Sequence, residues 1–483
     1  MTFFPIKTII NFDFKNRGLN LINSELNEDY MNIIIVGCGK VGYTIAEQLC
    51  KEGHDVTVID ERADVVNNVK NNLDVIAIHG NGVSNQVLSE AGIKSCHLFI
   101  AVSGSDEHNL LSCIVAKKNS KCNTIARVRN PIYEKELDFL KEEFDLASII
   151  NPEYETADEI SRIFQFPSAT KINRFVGGNV DQYRIRITDS SPLNGEKIMN
   201  IRTNYNKNIL ISGVLRNDEF LIPGGNFILE KDDLISIVAS RKDARDFLKK
   251  TELLTNPVKN VCIAGGGKIS FYLAKKLISA SIGVKIIESN EARANELAEI
   301  MPEATIIHAD ATDPGILEEE GIENVQGFAA LTGLDEENIL VTLYARKNSK
   351  AKIITKINRI NFNSVISELH LDSVINPRMI TADRITRYAR TMNAAVNNNN
   401  VETLYSMDEG KAEALEFKIN TVSAITDCPI KDLKLKPNSL ICSISRKHKT
   451  IIPSGNDTIN VGDLVVVVTA GYKISDITEI LED

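Results

Sequence analysis

The chain has 483 residues, of which 43% are hydrophobic and 25% are charged, and its formal net charge is −10. This balance is typical of a folded globular protein and excludes pervasive disorder and collagen-like structure; at roughly 100–200 residues per domain, the length predicts about three to four domains. An acidic chain is a poor general binder of phosphate backbones, which disfavours nucleic acid as a partner.

Hydrophobic runs and cysteines narrow the class of protein further. No apolar run approaches the roughly 20 residues that span a bilayer, so we expect a chain that is soluble by itself and reaches a membrane only through a partner. The eight cysteines form no C-x-x-C motif, and several lie inside apolar patterns. They are typical of reduced, mostly buried thiols in a cytosolic protein, although their even number leaves disulfides open.

Residues 1–30 have no clean hydrophobic period, no basic segment leading a long apolar core and no small-residue cleavage site, so a signal peptide is not predicted. Met31 directly precedes the predicted strand Asn32–Val36. One interpretation is that translation begins at Met31 and that residues 1–30 are a non-homologous extension. The alternative is a genuine terminal arm.

From Asn32 onward, short apolar strands alternate with helical stretches. The predicted helices Tyr43–Lys51 and Ala63–Asn71 lie between strands that begin near residues 33, 56 and 75. This β-α-β-α-β order predicts a parallel sheet with helices on both faces. Residues 183–240 instead show short alternating strands with turns, which predict a small α+β domain.

The whole pattern then returns. Corresponding segments recur in the same order at offsets of 225 to 230 residues: Gly37–Gly42 as Gly265–Ser270, Ser103–Asn109 as Thr332–Asn338, Asn151-Pro152 as Asn376-Pro377, and Ile222–Gly225 as Ile452–Gly455. So many matches in one order indicate an internal duplication.

The predicted fold class is therefore α/β, with two Rossmann-like doubly wound parallel-sheet domains, each followed by a small α+β C-terminal-type domain. The predicted ranges are the extension at 1–30, Rossmann-like domains at 31–165 and 259–393, and small domains at 180–255 and 412–483. The segments Gln165–Gln182 and Asn393–Ala414 are predicted linkers. Within the second, the Asn397–Asn400 run is a surface loop or a flexible joint.

The first repeat carries a nucleotide-binding pattern. A G-x-G-x-x-G motif follows a strand and opens a helix, where glycines allow a tight turn, approach of a pyrophosphate and close helix packing. Asp60 ends the next strand and can accept hydrogen bonds from ribose hydroxyls, while its charge favours NAD over NADP. The predicted contacts of this loop are Gly37, Cys38, Gly39, Lys40, Val41 and Gly42.

The second repeat departs from this pattern because Ser270 replaces the third glycine. Serine is small enough to keep the helix close to the strand, and Glu288 retains the carboxylate of Asp60. We expect a second nucleotide site, with a degenerate structural copy as the alternative. Its predicted loop contacts are Gly265, Gly266, Gly267, Lys268 and Ile269.

Further contacts are predicted at the carboxyl ends of later strands, where ligands bind in this architecture. They are Asn81, Gly82, Ser103, Gly104 and Arg127 in the first repeat, and Asp310, Ala311, Thr332, Gly333 and Lys356 in the second. A cation at the position of Arg127 or Lys356 suits a phosphate; a solvated charge at a strand end is the alternative.

Catalytic residues are not evident. His79 and His308 lie near the expected ligand but are typical of packing or backbone-capping residues. No motif indicates a metal site or a nucleophile elbow, and no acid/base pair is evident beside a nicotinamide ring. A nicotinamide-dependent oxidoreductase is thus an alternative that rests on fold analogy alone.

Taken together, the glycine loop with Asp60, the Ser103–Asn109 stretch, Ile125–Arg129, Asn151–Glu153 and the Pro-Gly-bearing C-terminal halves resemble the tandem form of the regulator-of-potassium-conductance family. The resemblance covers Met31–Asp483. The second copy departs from it at Ser270, and at Arg378 where the first copy has Glu153.

The resemblance implies a non-catalytic, cytoplasmic subunit on the inner face of the cell membrane. Its partner would be an integral-membrane potassium uptake subunit of the Trk type, gated by NAD(H) or an adenine nucleotide (ATP or ADP). It also implies a homo-oligomeric ring of nucleotide domains, with Arg127 and Arg129 as a basic pair that meets phosphate. A regulator of a different ion transporter is the second alternative, because the residues do not identify the ion.

Overall fold

The computed structural model describes residues 30–133, 136–175, 180–358, 369, 371, 373–396, 401–407, 410–447 and 449–482. The extension predicted at 1–30 lies outside this part of the chain except for Tyr30, and so does the Asn397–Asn400 run. The described residues form two six-stranded parallel sheets and two five-stranded antiparallel sheets.

The first Rossmann-like domain alternates strands and helices along the chain. Its strands are β1 (Asn32–Val36), β2 (Asp55–Asp60), β3 (Ile76–His79), β4 (Leu98–Ala101), β5 (Asn123–Arg127) and β6 (Ser148–Ile150). Its helices are α1 (Lys40–Lys51), α2 (Ala63–Asn72), α3 (Asn85–Glu90), α4 (Asp106–Asn119), α5 (Leu137–Glu143) and α6 (Pro152–Gln165). The sheet order is β3-β2-β1-β4-β5-β6.

The first small domain follows. It comprises β7 (Lys171–Arg174), β8 (Asp181–Arg186), α7 (Ile198–Asn204), β9 (Leu210–Arg216), β10 (Glu219–Leu221), β11 (Leu234–Ala239) and α8 (Arg241–Lys250). Its antiparallel sheet has the order β10-β9-β11-β8-β7.

The second half repeats this order. Its parallel sheet has the order β14-β13-β12-β15-β16-β17 and its antiparallel sheet the order β18-β19-β22-β20-β21. The Rossmann-like elements are β12 (Asn260–Ala264), α9 (Lys268–Ser279), β13 (Gly283–Glu288), α10 (Glu291–Ile300), β14 (Thr305–His308), α11 (Pro314–Glu319), β15 (Gly327–Ala330), α12 (Asp335–Asn348), β16 (Lys352–Lys356), β17 (Ser373–Ile375) and α13 (Pro377–Val396). The small-domain strands are β18 (Val401–Met407), β19 (Ala412–Lys418), β20 (Ser439–Arg446), β21 (Lys449–Ile451) and β22 (Leu464–Ala470).

The predicted fold class is confirmed, and the strand order explains where the sites lie. In each parallel sheet the chain reverses its winding direction between the first and fourth strands of the repeat, at β1/β4 and β12/β15. Ligands of open α/β sheets bind at such a reversal, outside the carboxyl ends of the strands. The four residues Ile33–Val36 of β1 are almost fully buried, as expected for a central parallel strand covered on both faces.

The two predicted linkers are wrong in part. The segment Gln165–Gln182 contains β7, which pairs with β8 in the first antiparallel sheet. The segment Asn393–Ala414 contains the end of α13 and the whole of β18, which pairs with β19. These two strands lie at sheet edges in segments of mixed polarity, so their pairing could not be recognised without the neighbouring strand.

The helices that end the two Rossmann-like domains are exchanged. Ala157, Ile160 and Phe164 of α6 are fully buried in the hydrophobic core of the second domain. Reciprocally, Ala382 and Ile385 of α13 are fully buried in the core of the first. Each Rossmann-like core is therefore completed by the last helix of the other Rossmann-like domain.

The two small domains pack face to face. A shared hydrophobic cluster joins Phe175, Phe220 and Val238 of the first to Met407 and Val468 of the second. The ring centroids of Phe175 and Tyr405 lie 5.5 Å apart in an edge-on arrangement. Within the part of the chain that the structure describes, no helix is long and apolar enough to cross a membrane.

Candidate functional site

The first glycine loop joins β1 to α1. Gly37 has a φ of +89°, and a Cβ on it would lie 2.6 Å from the backbone of Ser103, so only glycine fits. A Cβ on Gly42 would lie 2.0 Å from the carbonyl oxygen of Gly37, which requires a glycine for close helix packing. Gly39 differs because, apart from the glycine itself and its two chain neighbours, no heavy atom lies within 4 Å of its Cβ position. The loop therefore leaves space at Gly39, in front of the N-terminus of α1.

Asp60 holds this loop from the end of β2. Its Oδ2 accepts a hydrogen bond from the Cys38 backbone N–H at 2.7 Å, and its Oδ1 accepts one from the Arg62 backbone N–H at 3.0 Å. The Arg62 Nε also lies 3.7 Å from Oδ1. A carboxylate offers about four lone-pair positions, so two hydrogen-bond positions remain for a ribose.

A buried asparagine organises the opposite wall. The Asn109 side-chain oxygen accepts a hydrogen bond from the Ser103 N–H at 2.7 Å, and its Nδ2 donates to the carbonyl of Arg127 at 2.9 Å. Asn109 is fully buried and thereby ties the predicted contacts Ser103 and Arg127 together. Asn338 makes the same contacts with Thr332 and Lys356 in the second repeat.

Asn109 and Asn338 are not among the site residues predicted from the sequence. They occupy equivalent places at the ends of the duplicated stretch, and this recurrence is the sequence signal that could have identified them. Because the side chain is buried and contacts only backbone, it positions other groups and does not itself face a ligand.

Arg127 is a buried cation with unused hydrogen-bonding capacity. It is 8% exposed and donates to the Ser103 carbonyl, while its Nε has no partner among the described residues. Burial lowers the pKa of Arg127 to about 10, and the nearby charge of Arg129 acts in the same direction. A buried cation without a full set of acceptors favours an anionic ligand.

The second loop has the same course with different packing. Gly265 has a φ of +96°, and Gly267 has open space at its Cβ position. Ser270 is fully buried, and its hydroxyl donates to the Gly265 carbonyl at 2.5 Å. Glu288 accepts hydrogen bonds from the backbone N–H groups of Gly266 at 2.5 Å and Asn290 at 2.7 Å.

Arg293 adds a cation to this second loop that the sequence did not single out. Its Nε donates to the Gly266 carbonyl at 2.9 Å, and it pairs with Glu296 at 2.8 Å. Together with Glu288 it lines a pocket of about 510 Å³ in front of Gly267, which Asn130 of the first domain also lines.

The residues predicted to contact a ligand after the third strand of each repeat contact other groups of the protein. Asn81 accepts a hydrogen bond from the Val83 N–H at 2.8 Å, and a Cβ on Gly82 would lie 2.2 Å from the Val36 side chain. Asp310 accepts from the N–H and hydroxyl of Thr312, which lowers the pKa of Asp310. Ala311 is buried in a separate hydrophobic cluster of the second Rossmann-like domain. Ser103, Gly104, Thr332 and Gly333 lie on the facing loops, and the Cβ positions of Gly104 and Gly333 are open.

The two sites open onto one cleft. A space of about 330 Å³ lies between the Rossmann-like domains, and basic side chains outnumber acidic ones around it by five to two. Burial lowers the pKa of Lys356, as it does that of Arg127. The charged lining residues are Lys40, Arg127, Arg129 and Glu153 from the first domain and Asp335, Lys356 and Arg378 from the second.

Both histidines near the loops contact backbone. A ring nitrogen of His79 lies 3.0 Å from the Glu61 carbonyl oxygen, and that of His308 lies 3.2 Å from the Ser289 carbonyl oxygen. In the described ranges, His, Cys, Asp and Glu side chains form no group of three placed to hold a metal ion.

Comparison with known families divides the chain as the duplication does. The TrkA-N domain model matches residues 33–152 and 261–377, and the TrkA-C domain model matches residues 183–251 and 415–482. The chain is 30% identical over 460 residues to the Trk system potassium uptake protein TrkA of Halomonas elongata, spanning 94% of this chain and 99% of that relative. It is 33% identical over 452 residues to the TrkA homolog of Archaeoglobus fulgidus, spanning 93% and 100%.

Solved structures share the architecture. The chain superposes on the GsuK channel bound to NAD with a TM-score of 0.61 at 17% identity, over 92% of this chain and 78% of that one. It superposes on the GsuK RCK domain with a TM-score of 0.60 at 16% identity, over 92% and 94%. At these identities the likeness concerns the fold alone.

Proposed function

Because the chain belongs to the family of the Trk system potassium uptake protein TrkA, with tandem TrkA-N and TrkA-C domains, we propose that it is a regulatory subunit that gates a membrane potassium uptake channel or transporter. In this proposal it is a cytoplasmic protein at the inner face of the cell membrane. Its partner is a separate integral-membrane subunit of the Trk type, and several copies of the chain assemble their nucleotide domains into a ring.

The observation that carries this proposal is the shared cleft. The glycine loops at the N-termini of α1 and α9 both line it, through Lys40 and Ile269 respectively, and its cations come from both Rossmann-like domains. Helix N-termini and cations favour phosphate. A phosphate group bound there would interact with both domains, so its affinity depends on their separation. A ligand changes conformation only through such a difference in affinity between two arrangements.

The regulatory ligand in this proposal is NAD(H) or an adenine nucleotide, ATP or ADP. Two features of each loop support it: open space at Gly39 or Gly267, and a carboxylate, Asp60 or Glu288, with spare lone pairs for ribose hydroxyls. The same carboxylates disfavour a 2′-phosphate. The NAD-bound state of the GsuK channel agrees with this choice.

The family membership excludes the oxidoreductase alternative. The relatives that match over nearly their full length are potassium uptake proteins and not enzymes. In this proposal the transported ion is potassium, as the names of those relatives indicate.

The test is nucleotide binding to paired glycine variants, measured by isothermal titration calorimetry with NADH, NAD, ATP and ADP. Gly39 has an extended backbone and open space at its Cβ position, so Gly39→Ala should fold normally and place a methyl group where the pyrophosphate approaches. We expect the first site to lose at least about tenfold in affinity, or about 1.4 kcal/mol. Gly267→Ala should do the same at the second site.

Gly224→Ala is the matched control, because Gly224 also has open space at its Cβ position but lies in the first small domain. Affinities equal in the control and in both loop variants would contradict the site assignment. The gating role is then tested by recovering membrane proteins on the immobilised chain, with and without nucleotide. Failure to recover a potassium-conducting membrane protein in either condition would contradict it.

A further inference from the structure

Four charged side chains from three parts of the chain meet at the C-terminal end of α1, the helix that begins at the first glycine loop. We name Glu52, Arg390, Glu413 and Lys473 the charged node. Arg390 of α13 donates from Nε and Nη2 to the two carboxylate oxygens of Glu52, and its Nη1 lies 2.9 Å from Glu413 Oε1. Lys473 Nζ donates to Glu52 Oε1 at 2.9 Å.

Three members of the node are largely buried, and Lys473 is half-exposed. The side chains of Glu52 and Arg390 are each 15% exposed, and that of Glu413 is 5% exposed. Burial acts to raise the pKa of Glu52, but hydrogen bonds and charge from Arg390 and Lys473 outweigh it and lower that pKa. The two acids and two bases balance, and breaking such a buried pair by removing one partner is costly. The node therefore holds its three parts in one arrangement.

The position of Glu52 connects this node to the first site. Glu52 is the residue that caps the C-terminus of α1, whose N-terminus is the first glycine loop. The twelve residues of α1 form a rigid rod about 18 Å long. At the other side of the node, Glu413 lies on β19 and Lys473 follows β22, so both belong to the second small domain.

The other half of the chain carries a different set of side chains at these positions. By the repeat offsets and the strand register, the positions of Glu52, Arg390, Glu413 and Lys473 are occupied by Ala280, Gln165, Asp181 and Asp243, so only the acid of Glu413 is retained. The residue that caps the C-terminus of α9 is thus an alanine, whose methyl side chain cannot form an ion pair with the first small domain. The duplication supplies an internal control for the role of the node.

We propose that the charged node couples the second small domain to the first nucleotide site and leaves the second site uncoupled. This inference rests on the proposed function, because it concerns nucleotide binding at the first loop. A nucleotide that orders the N-terminus of α1 restrains Glu52 and, through Arg390 and Lys473, the second small domain. Reciprocally, a contact that moves this small domain changes nucleotide affinity at the first loop, since coupling between two sites is mutual.

The experiment measures hydrogen exchange in the full chain with and without saturating NADH or ATP, in a Gly267→Ala background that confines binding to the first site. We expect nucleotide to slow exchange about fivefold or more in β19 and β22, the lower end of typical couplings. Strands β8 and β11, which contact the second small domain outside the node, should respond less than β19 and β22. The Lys473→Met and Glu52→Gln variants should abolish the slowing.

Lys473 is half-exposed, so Lys473→Met is expected to fold, and Glu52→Gln keeps the shape of the side chain. Lys411→Met is the matched control: Lys411 lies in the same small domain and pairs with Asp218 of the first small domain, outside the node. Nucleotide binding with equal slowing in wild type and both node variants would overturn the coupling alone. Absence of nucleotide binding in every form would overturn the proposed function, and the coupling with it.

Discussion

Gly42 and Ser270 occupy the same position of the two glycine loops, yet the loops accommodate them differently. In the first loop a Cβ at this position would lie 2.0 Å from the Gly37 carbonyl oxygen. In the second repeat Ser270 has such a Cβ, and the glycine loop stands further from the loop that follows the neighbouring strand. A Cβ on Gly265 would lie 3.1 Å from Thr332, against 2.6 Å from Ser103 for Gly37. The serine is therefore tolerated through a shift of the loop.

We predict that Gly42→Ser destabilises the first Rossmann-like domain by about 1–3 kcal/mol, as overpacking usually does. The hydroxyl-bearing Cβ must displace the Gly37 carbonyl, and with it the loop that faces the ligand. Urea unfolding should show a lower midpoint, and nucleotide affinity at the first site should fall. Ser270→Gly is the reciprocal change. It removes one hydrogen bond, worth about 0.5–1.5 kcal/mol, without overpacking. Equal stability of Gly42→Ser and wild type would contradict this account.

At the scale of elements, the two exchanged helices dock through related but unequal contacts. On α6, Asp158 pairs with Lys276 of α9 at 2.8 Å, and the Lys276 ammonium lies 4.0 Å from the Tyr154 ring centroid. At the equivalent contact of α13, Gln48 of α1 donates to Asp383 at 3.0 Å. At this equivalent contact, one docking surface thus uses an ion pair with a cation–π contact, and the other uses an amide.

We predict that Lys276→Gln, which copies the residue of the other half, lowers the free energy of unfolding by about 1–2 kcal/mol. It removes the ion pair with Asp158 and the cation–π contact, whose worth is about 0.5–2 kcal/mol in this range of exposure. In a Tyr154→Met background, Lys276→Gln should lower the free energy of unfolding by less, because the cation–π contact is already absent there. Additive costs in this double-mutant cycle, measured by urea unfolding, would show that Lys276 and Tyr154 do not interact.

At the scale of the whole molecule, the exchange of α6 and α13 makes the two Rossmann-like domains depend on each other. Neither core is complete without the helix contributed by the other half. The small domains share a hydrophobic cluster in the same way. A chain built from four domains should therefore not behave as four independent folding units.

We predict that the two Rossmann-like domains unfold in one thermal transition, which nucleotide shifts as a whole. At a free concentration 100 times the dissociation constant, one site contributes about 2.7 kcal/mol of stabilisation. For the roughly 270 residues of the two domains, with an unfolding entropy of about 2.1 cal/mol/K per residue, that corresponds to about 5 °C in Tm. Scanning calorimetry with and without NADH measures the shift, and Gly39→Ala should reduce it. Two separate transitions, of which NADH moves only one, would contradict the mutual completion of the cores.

The sequence by itself determined the class of fold, the duplication and the family. These rest on local signals: the strand–turn–helix spacing of the glycine loop, an acid at the end of the next strand, and segments that recur at a nearly constant offset. The helices were predicted within a few residues, since Tyr43–Lys51 is observed as Lys40–Lys51 and Ala63–Asn71 as Ala63–Asn72. Backbone conformation at glycines and hydrophobic periodicity act over a few residues, so they are visible in one dimension.

Only the tertiary structure decided which surfaces meet. An amphipathic helix after a sixth strand can cover its own sheet or that of a partner, and its periodicity is the same in both cases. The contacts that decide between them join residues more than 100 positions apart, such as Asp158 with Lys276 and Gln48 with Asp383. Such pairs leave no spacing signal. The exchange of helices, the shared cleft and the charged node therefore became apparent only when the halves were placed against each other.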